Sequence, residues 1–203
     1  MISMGEGDFH MKKKGTLKTF LVMLVLAAGI LAGYYAINNR AEQKAEAQYV
    51  ETEKDKLLTR NIENSYPATP REVVKLYSRI LKCIYNEDLT EAEMKDLMKQ
   101  ARLLYDEELL EENPEDNNVN ELKIEREQYK AEKKSIFSVA IEKANNVITW
   151  TDAGKEYASI VACYTLKEDV TYTRTYEKFL LRKDLTGRYK IVGWGMAEEA
   201  DME

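Results

Sequence analysis

Hydrophobic positions change their period along this chain, and each change predicts a different element. Residues 20–37, bounded by Phe20 and Ile37, read FLVMLVLAAGILAGYYAI and carry no charge. At ~1.5 Å of helical rise per residue the run spans roughly 27 Å, close to the hydrocarbon thickness of a bilayer, and predicts a transmembrane helix over 20–38 in contact with membrane lipid. From residue 39 to about 63 the chain is rich in Ala, Glu, Gln and Lys, with no glycine or proline. Its apolar residues, among them Ala41, Tyr49, Leu57 and Leu58, are too sparse for a sustained heptad, so a helical stalk and linker is expected over 39–69. Pro67 and Pro70 end it.

Thr69-Pro70-Arg71-Glu72 then predicts a helix start, with a capping box and a proline at the first helical position. Val73, Val74, Tyr77, Ile80, Leu81 and Ile84 follow at helical spacing and make one apolar face. Thr90 and Glu93 repeat the capping logic for a second helix carrying Met94, Leu97, Met98, Ala101, Leu104 and Tyr105. A third helix is expected up to about Lys134, with Leu122, Ile124 and Tyr129 as core contacts. The period then shortens to two. Phe137, Val139 and Ile141 share one face of a strand; Ile160, Ala162, Tyr164 and Leu166 share one face of another, with Val161 and Cys163 opposite. The threonine- and tyrosine-rich VTYTRTYEKFLLR reads as a long strand, and the turn at 184–187 leads into a last one. Helices followed by an antiparallel meander predict an α+β domain over 70–195, with about three helices on a curved antiparallel sheet of four or more strands. An acidic, frayed tail is expected over 196–203.

The order of elements and the ending RKDLTGRYKIVGW resemble the nuclear transport factor 2-like cone fold over roughly 70–195. The whole arrangement is similar to uncharacterised membrane-anchored bacterial proteins that carry such a domain outside the cell. The resemblance implies a cavity in the mouth of the cone, where some enzymes of that superfamily use carboxylates and tyrosines. Tyr77, Tyr105, Trp150, Tyr164, Tyr172 and Trp194 are the candidate lining. The same aromatic residues are also the usual filling of such a core. Among carboxylates, Glu142 and Glu177 are the strand-borne ones; alternation points Glu142 away from the Val139 face and argues against a catalytic role. Thr171, Thr173 and Thr175 form a polar stripe, open to solvent or to a partner's strand.

Composition adds mainly exclusions. Lys12, Lys13, Lys14 and Lys18 precede the apolar run and place residues 1–19 in the cytoplasm by the positive-inside rule, which makes the remainder extracytoplasmic. Ala27-Ala28-Gly29 offers a competing reading as a cleaved signal peptide. Gly29 and Gly33 form a small-xxx-small pair suited to a membrane helix dimer. Gly5 to Asp8 must be encoded by purine-rich codons like those of a ribosome-binding site, which predicts a start at Met11. The chain of 203 residues carries a net charge of −6 with its acid spread out, which argues against nucleic acid. His10 is the only histidine, and there is no cysteine pair with metal spacing, no phosphate loop and no nucleophile elbow. No catalytic residue, metal or cofactor is expected. Cys83 and Cys163 read as two small buried hydrophobes, with a disulfide as the other possibility. The expected function is therefore a non-enzymatic single-pass membrane protein that presents an extracytoplasmic binding or scaffold domain to a protein partner or to itself. The alternative is a small-molecule binder or enzyme using the cone cavity, which would show a deep pocket holding an ionisable residue without a partner.

Overall fold

Three helices begin with the same device. The computed structural model describes Leu31, Tyr34 and residues 51–202, the side chains of residues 116–118 excepted. In α1 (Glu53–Leu58), α2 (Pro70–Asn86) and α3 (Glu91–Arg102) a threonine at the N-cap accepts from a backbone N–H of the first turn, and the acid three residues on reaches back to the cap's own N–H. Such boxes satisfy donors that no helix can satisfy internally. The boxes at Thr69 and Thr90 match the sequence expectation, whereas the one at Thr52 lies in the stretch read as a stalk. Leu57 and Ile62 are buried, and the compact unit runs over residues 52–203 instead of starting at Pro70.

Among the described residues no helix is long and apolar enough to cross a membrane. The expected transmembrane helix does not stand, nor does the single-pass localisation that depended on it. Residues 20–37 lie outside the described part, Leu31 and Tyr34 apart, and so do Gly29, Gly33 and residues 39–50. The longest described helices, α2 and α5 (Glu115–Ala131), both carry charge along their length.

Among the described residues there are five α-helices, four of them over residues 70–195 where about three were expected. The second amphipathic run does not continue to Tyr105: α3 ends at Arg102, and the next residues straighten to pair with the sheet. The Ile191 N–H donates to the Leu104 carbonyl and the Asp106 N–H to the Ile191 carbonyl, each at 2.8 Å. Asp106 then caps α4 (Glu107–Glu112).

The sheet has five antiparallel strands: β1 (Lys134–Ile141), β2 (Ile148–Asp152), β3 (Lys155–Glu168), β4 (Thr171–Lys183) and β5 (Tyr189–Ala197). Their order is β1-β3-β4-β5, with β2 pairing the first half of β3. Ala153 and Gly154, both at positive φ, close the β2–β3 hairpin, and Gly187 at φ +83° closes the one between β4 and β5. A bulge between Ile136 and Ser138 changes the expected alternation in β1. Ile136, not Phe137, joins Val139 and Ile141 toward the helices, and Phe137 is turned out to solvent. The tail is ordered as well: β5 runs to Ala197, a short 3₁₀ turn covers Glu199–Met202, and the Tyr176 hydroxyl donates to Glu199 at 2.8 Å. The core lies between the helices and the inner face of the sheet, where Ile80, Ile84, Leu97, Ile160, Phe179, Leu181 and Ile191 are fully buried.

Candidate functional site

Helical and strand periods bring a set of polar and aromatic side chains to one end of that inner face. On α2, Tyr77, Leu81 and Tyr85 lie one turn apart along a single stripe; on α5, Glu121, Glu125 and Tyr129 do the same. On β4, Thr175 and Glu177 alternate inward opposite Tyr164 and Ala162 of β3. Trp194 of β5, Tyr105 from the connection after α3, and Met98 complete most of the wall. Together they enclose a cavity of about 500 Å³. Small-molecule sites typically span about 300–1,000 Å³.

The floor is aromatic. Tyr77 and Trp194 ring centroids are 5.4 Å apart, Tyr77 and Tyr105 5.9 Å, and Tyr105 and Trp194 6.1 Å. The Tyr105 hydroxyl donates to that of Tyr77 at 3.3 Å, and the Tyr164 and Ser78 hydroxyls are hydrogen-bonded at 2.7 Å. Nearer the mouth, Tyr85 donates to Glu125 at 2.6 Å and packs on Tyr129 at 4.5 Å. Burial pushes the phenols of Tyr77, Tyr85 and Tyr164 well above their ordinary value, and for Tyr85 the hydrogen bond to Glu125 adds to it. These phenols stay protonated at neutral pH and serve as hydrogen-bonding groups, not as bases.

Glu177 differs from the rest of the wall. Its half-buried carboxyl has no hydrogen-bond or ion-pair partner among the described residues. Burial, and secondarily the charge of Glu125, raises its pKa above the usual carboxylate range. Among the described residues the lining contains Glu121, Glu125 and Glu177 but no lysine, arginine or histidine.

Of the residues singled out from sequence, Tyr77, Tyr105, Tyr164 and Trp194 line this cavity. Trp150 and Tyr172 stand on the opposite side of the sheet. Trp150 stacks on Tyr157, with centroids 5.6 Å apart, and Tyr172 meets Phe137 edge-on. Their strand parity puts them there, since each sits an odd number of positions from the inward residues of its own strand. Tyr85, Tyr129, Glu121 and Glu125 were not anticipated, although the four-residue spacing from Tyr77 and along α5 carried the signal. Glu142 is structural: its carboxylate accepts the Val161 N–H at 3.0 Å and its carbonyl the Arg71 Nε at 2.8 Å. Thr175, at the inner end of the threonine stripe, faces the cavity, whereas Thr171 and Thr173 are exposed.

Cys83 and Cys163 are both buried and unbridged, and burial raises the Cys83 thiol to about 11. Among the described residues no group of His, Cys, Asp and Glu is placed to hold a metal ion. A shallower groove of about 400 Å³ between α2 and β1 gathers Arg71, Lys75, Arg79 and Lys82. Three of those four are engaged, with the Glu142 carbonyl, Glu53 and the Phe137 carbonyl respectively.

A family model described as "Domain of unknown function (DUF6715)" matches residues 11–194, and the chain belongs to that family. No curated protein matches it.

Proposed function

We propose that this DUF6715 protein is a non-enzymatic binding domain that holds a small organic molecule in the cavity between α2, α5 and the inner face of the sheet. The observation that carries this reading is the inward carboxyl of Glu177, left without a partner in an aromatic chamber of about 500 Å³. A half-buried ionisable group without a counter-charge costs free energy that a packed core would avoid, and a ligand supplying the missing interaction recovers it. Catalysis is less well supported, because the neighbouring phenols are held protonated and no nucleophile–base pair lines the chamber among the described residues. With helices on one face of a curved antiparallel sheet, we read the architecture as a cone-like fold of the nuclear transport factor 2 type.

The test is a ligand-observed NMR fragment screen on the full chain, repeated on Thr175→Phe, which fills the chamber from a strand position. Fragments that bind the wild type and are lost in the variant are the expected result. An empty screen, or hits indifferent to the substitution, overturns the reading. A second reading, a protein partner or another copy of the chain, is favoured by the outer face, where Ile148 and Trp150 are 59% and 39% exposed. Light scattering of the wild type and of Trp150→Ser checks self-association: an assembly that Trp150→Ser abolishes supports it, and a monomer in both removes it.

A further inference from the structure

The geometry assigns the cavity a ligand class: an organic cation, a substituted ammonium whose charge rests on the Tyr77–Tyr105–Trp194 wall and against Glu177. The assignment rests on the cavity-binding reading above and goes beyond it in naming the charge of the occupant.

Three features of the chamber agree. Among the described residues its lining carries Glu121, Glu125 and Glu177 and no basic residue, so an anion entering it meets repulsion from these three carboxylates. The rings of Tyr77, Tyr105 and Trp194 form a continuous patch, with centroids 5.4–6.1 Å apart, and aromatic faces carry the negative side of the ring quadrupole. Cations are attracted to such faces within about 6 Å, most strongly where water is excluded. Tyr77 and Tyr105 are buried. Glu177 supplies the third feature. A neutral occupant would displace water from this carboxyl and give it no counter-charge, whereas an ammonium neutralises it. The entrance suits the same occupant, because Glu121 and Glu125 stand exposed along α5 and draw positive charge toward the opening. Tyr129, a separate lining ring on α5, already carries a cation: the Lys134 ammonium lies 5.0 Å from its centre.

Other ligand classes fit less well. A phosphate or carboxylate needs donors of positive charge, which the described residues of the lining do not supply. A purely apolar molecule fits the rings but leaves Glu177 uncompensated. A substituted ammonium uses the rings and the carboxyl together, and the chamber's volume leaves room for an organic substituent beyond the charged head.

The experiment is isothermal titration of the full chain with three probes of nearly one shape: choline, its neutral carbon isostere dimethylbutanol, and the anion dimethylbutyrate. Choline is expected to bind at least about tenfold tighter than dimethylbutanol, with dimethylbutyrate weakest. Glu177→Gln, which keeps size and removes charge, is expected to weaken choline by about tenfold or more while leaving dimethylbutanol unchanged. Should that variant fail to fold, the ranking of the three probes on the wild type decides alone. Equal binding of choline and dimethylbutanol, or choline binding untouched by Glu177→Gln, overturns the cation assignment and leaves the cavity-binding reading in place. If no probe binds, the cation assignment falls, and if the fragment screen is empty as well, the cavity-binding reading falls with it.

Discussion

Helices α2 and α5 have the same length, seventeen residues, and lie over the same side of the sheet, yet they treat it in opposite ways. Nine residues of α2 are buried, most of them aliphatic, and beneath it the strands contribute Ile160, Phe179 and Leu181, all close to zero exposure. Helix α5 buries Val119, Leu122 and Arg126 and leaves Ile124 72% exposed, and below it the sheet keeps Tyr164, Thr175 and Glu177 around an open chamber. Their beginnings differ too. A full capping box starts α2, whereas Pro114 at the start of α5 makes no side-chain cap. One sheet thus has a closed end and an open end where the Glu177 carboxyl has no partner among the described residues. The contrast shows that the cavity is not a packing defect of the strands. It lies where α5 brings Glu121, Glu125 and Tyr129 and α2 brings Tyr77, Leu81 and Tyr85, away from the isoleucines and valines that α2 buries.

The strongest way to break this comparison is to cut both ends and compare the losses. Phe179→Ala, at zero exposure and 5.8 Å from Tyr77 between ring centroids, is expected to lower unfolding stability by about 3–5 kcal/mol in urea titrations. Ile124→Ala on α5 should change it by less than about 0.5 kcal/mol. Comparable losses would mean that α5 carries as much of the core as α2.

Next in size is the ion pair that ties the α3–α4 connection to the strands. Asp106 is buried and pairs with Arg182, whose side chain is 12% exposed and also reaches Glu108 at 2.7 Å. Removing one partner leaves the other with its charge poorly compensated, so Asp106→Ala should cost about 3 kcal/mol. A loss under about 1 kcal/mol in the same titration would show that water or Glu108 replaces the aspartate.

A smaller effect concerns the helix starts. Thr69→Ala removes the α2 cap and should cost about 1 kcal/mol. Native-state hydrogen exchange sharpens the contrast further, with α5 amides expected to exchange through local opening well before those of α2. Uniform protection across both helices would erase the distinction.

The smallest effect is the pH dependence that belongs to Glu177. Its carboxyl titrates above the unfolded value because burial and Glu125 disfavour its charge. Between those two values the folded chain binds more protons than the unfolded chain, so stability falls as pH rises through the window and is level above it. Glu177→Gln should remove that fall. Comparing melting temperatures of the wild type and the variant from about pH 4 to about pH 8 checks it: the variant should gain on the wild type as pH rises. A constant difference would mean that Glu177 titrates normally and that the open end is more hydrated than its geometry implies.

Most of the helix-and-strand layout was legible because it rests on local chemistry. The Thr69 and Thr90 boxes, the α2 face and the period-two run over residues 157–167 are properties of short stretches. What misled was equally local. The apolar run at residues 20–37 reads as a membrane span from length and hydropathy, yet no described helix has that character. The sparse apolar residues before Pro70 looked too few to matter. Leu57 and Ile62 are nevertheless fully buried, because α3 and the α2 start offer them a surface that a lone helix would lack. Among candidate lining residues the sequence put Tyr172 and Trp150 on a par with Tyr164 and Trp194, since alternation identifies two faces but does not say which one the helices cover.

By itself, then, the sequence determined the α+β class, the capped helix starts, the strand periods and the absence of any histidine beyond His10. Only the tertiary structure decided that Ile136 and not Phe137 turns inward, that Leu104 to Asp106 leave the helix to pair with β5, and that Glu177 faces a chamber with no partner among the described residues. The physical reason is range. Caps and periods are set within a few residues, whereas a bulge, an edge pairing or an unmatched carboxyl depends on which distant side chain arrives opposite, and that is fixed only when helix and sheet close on each other.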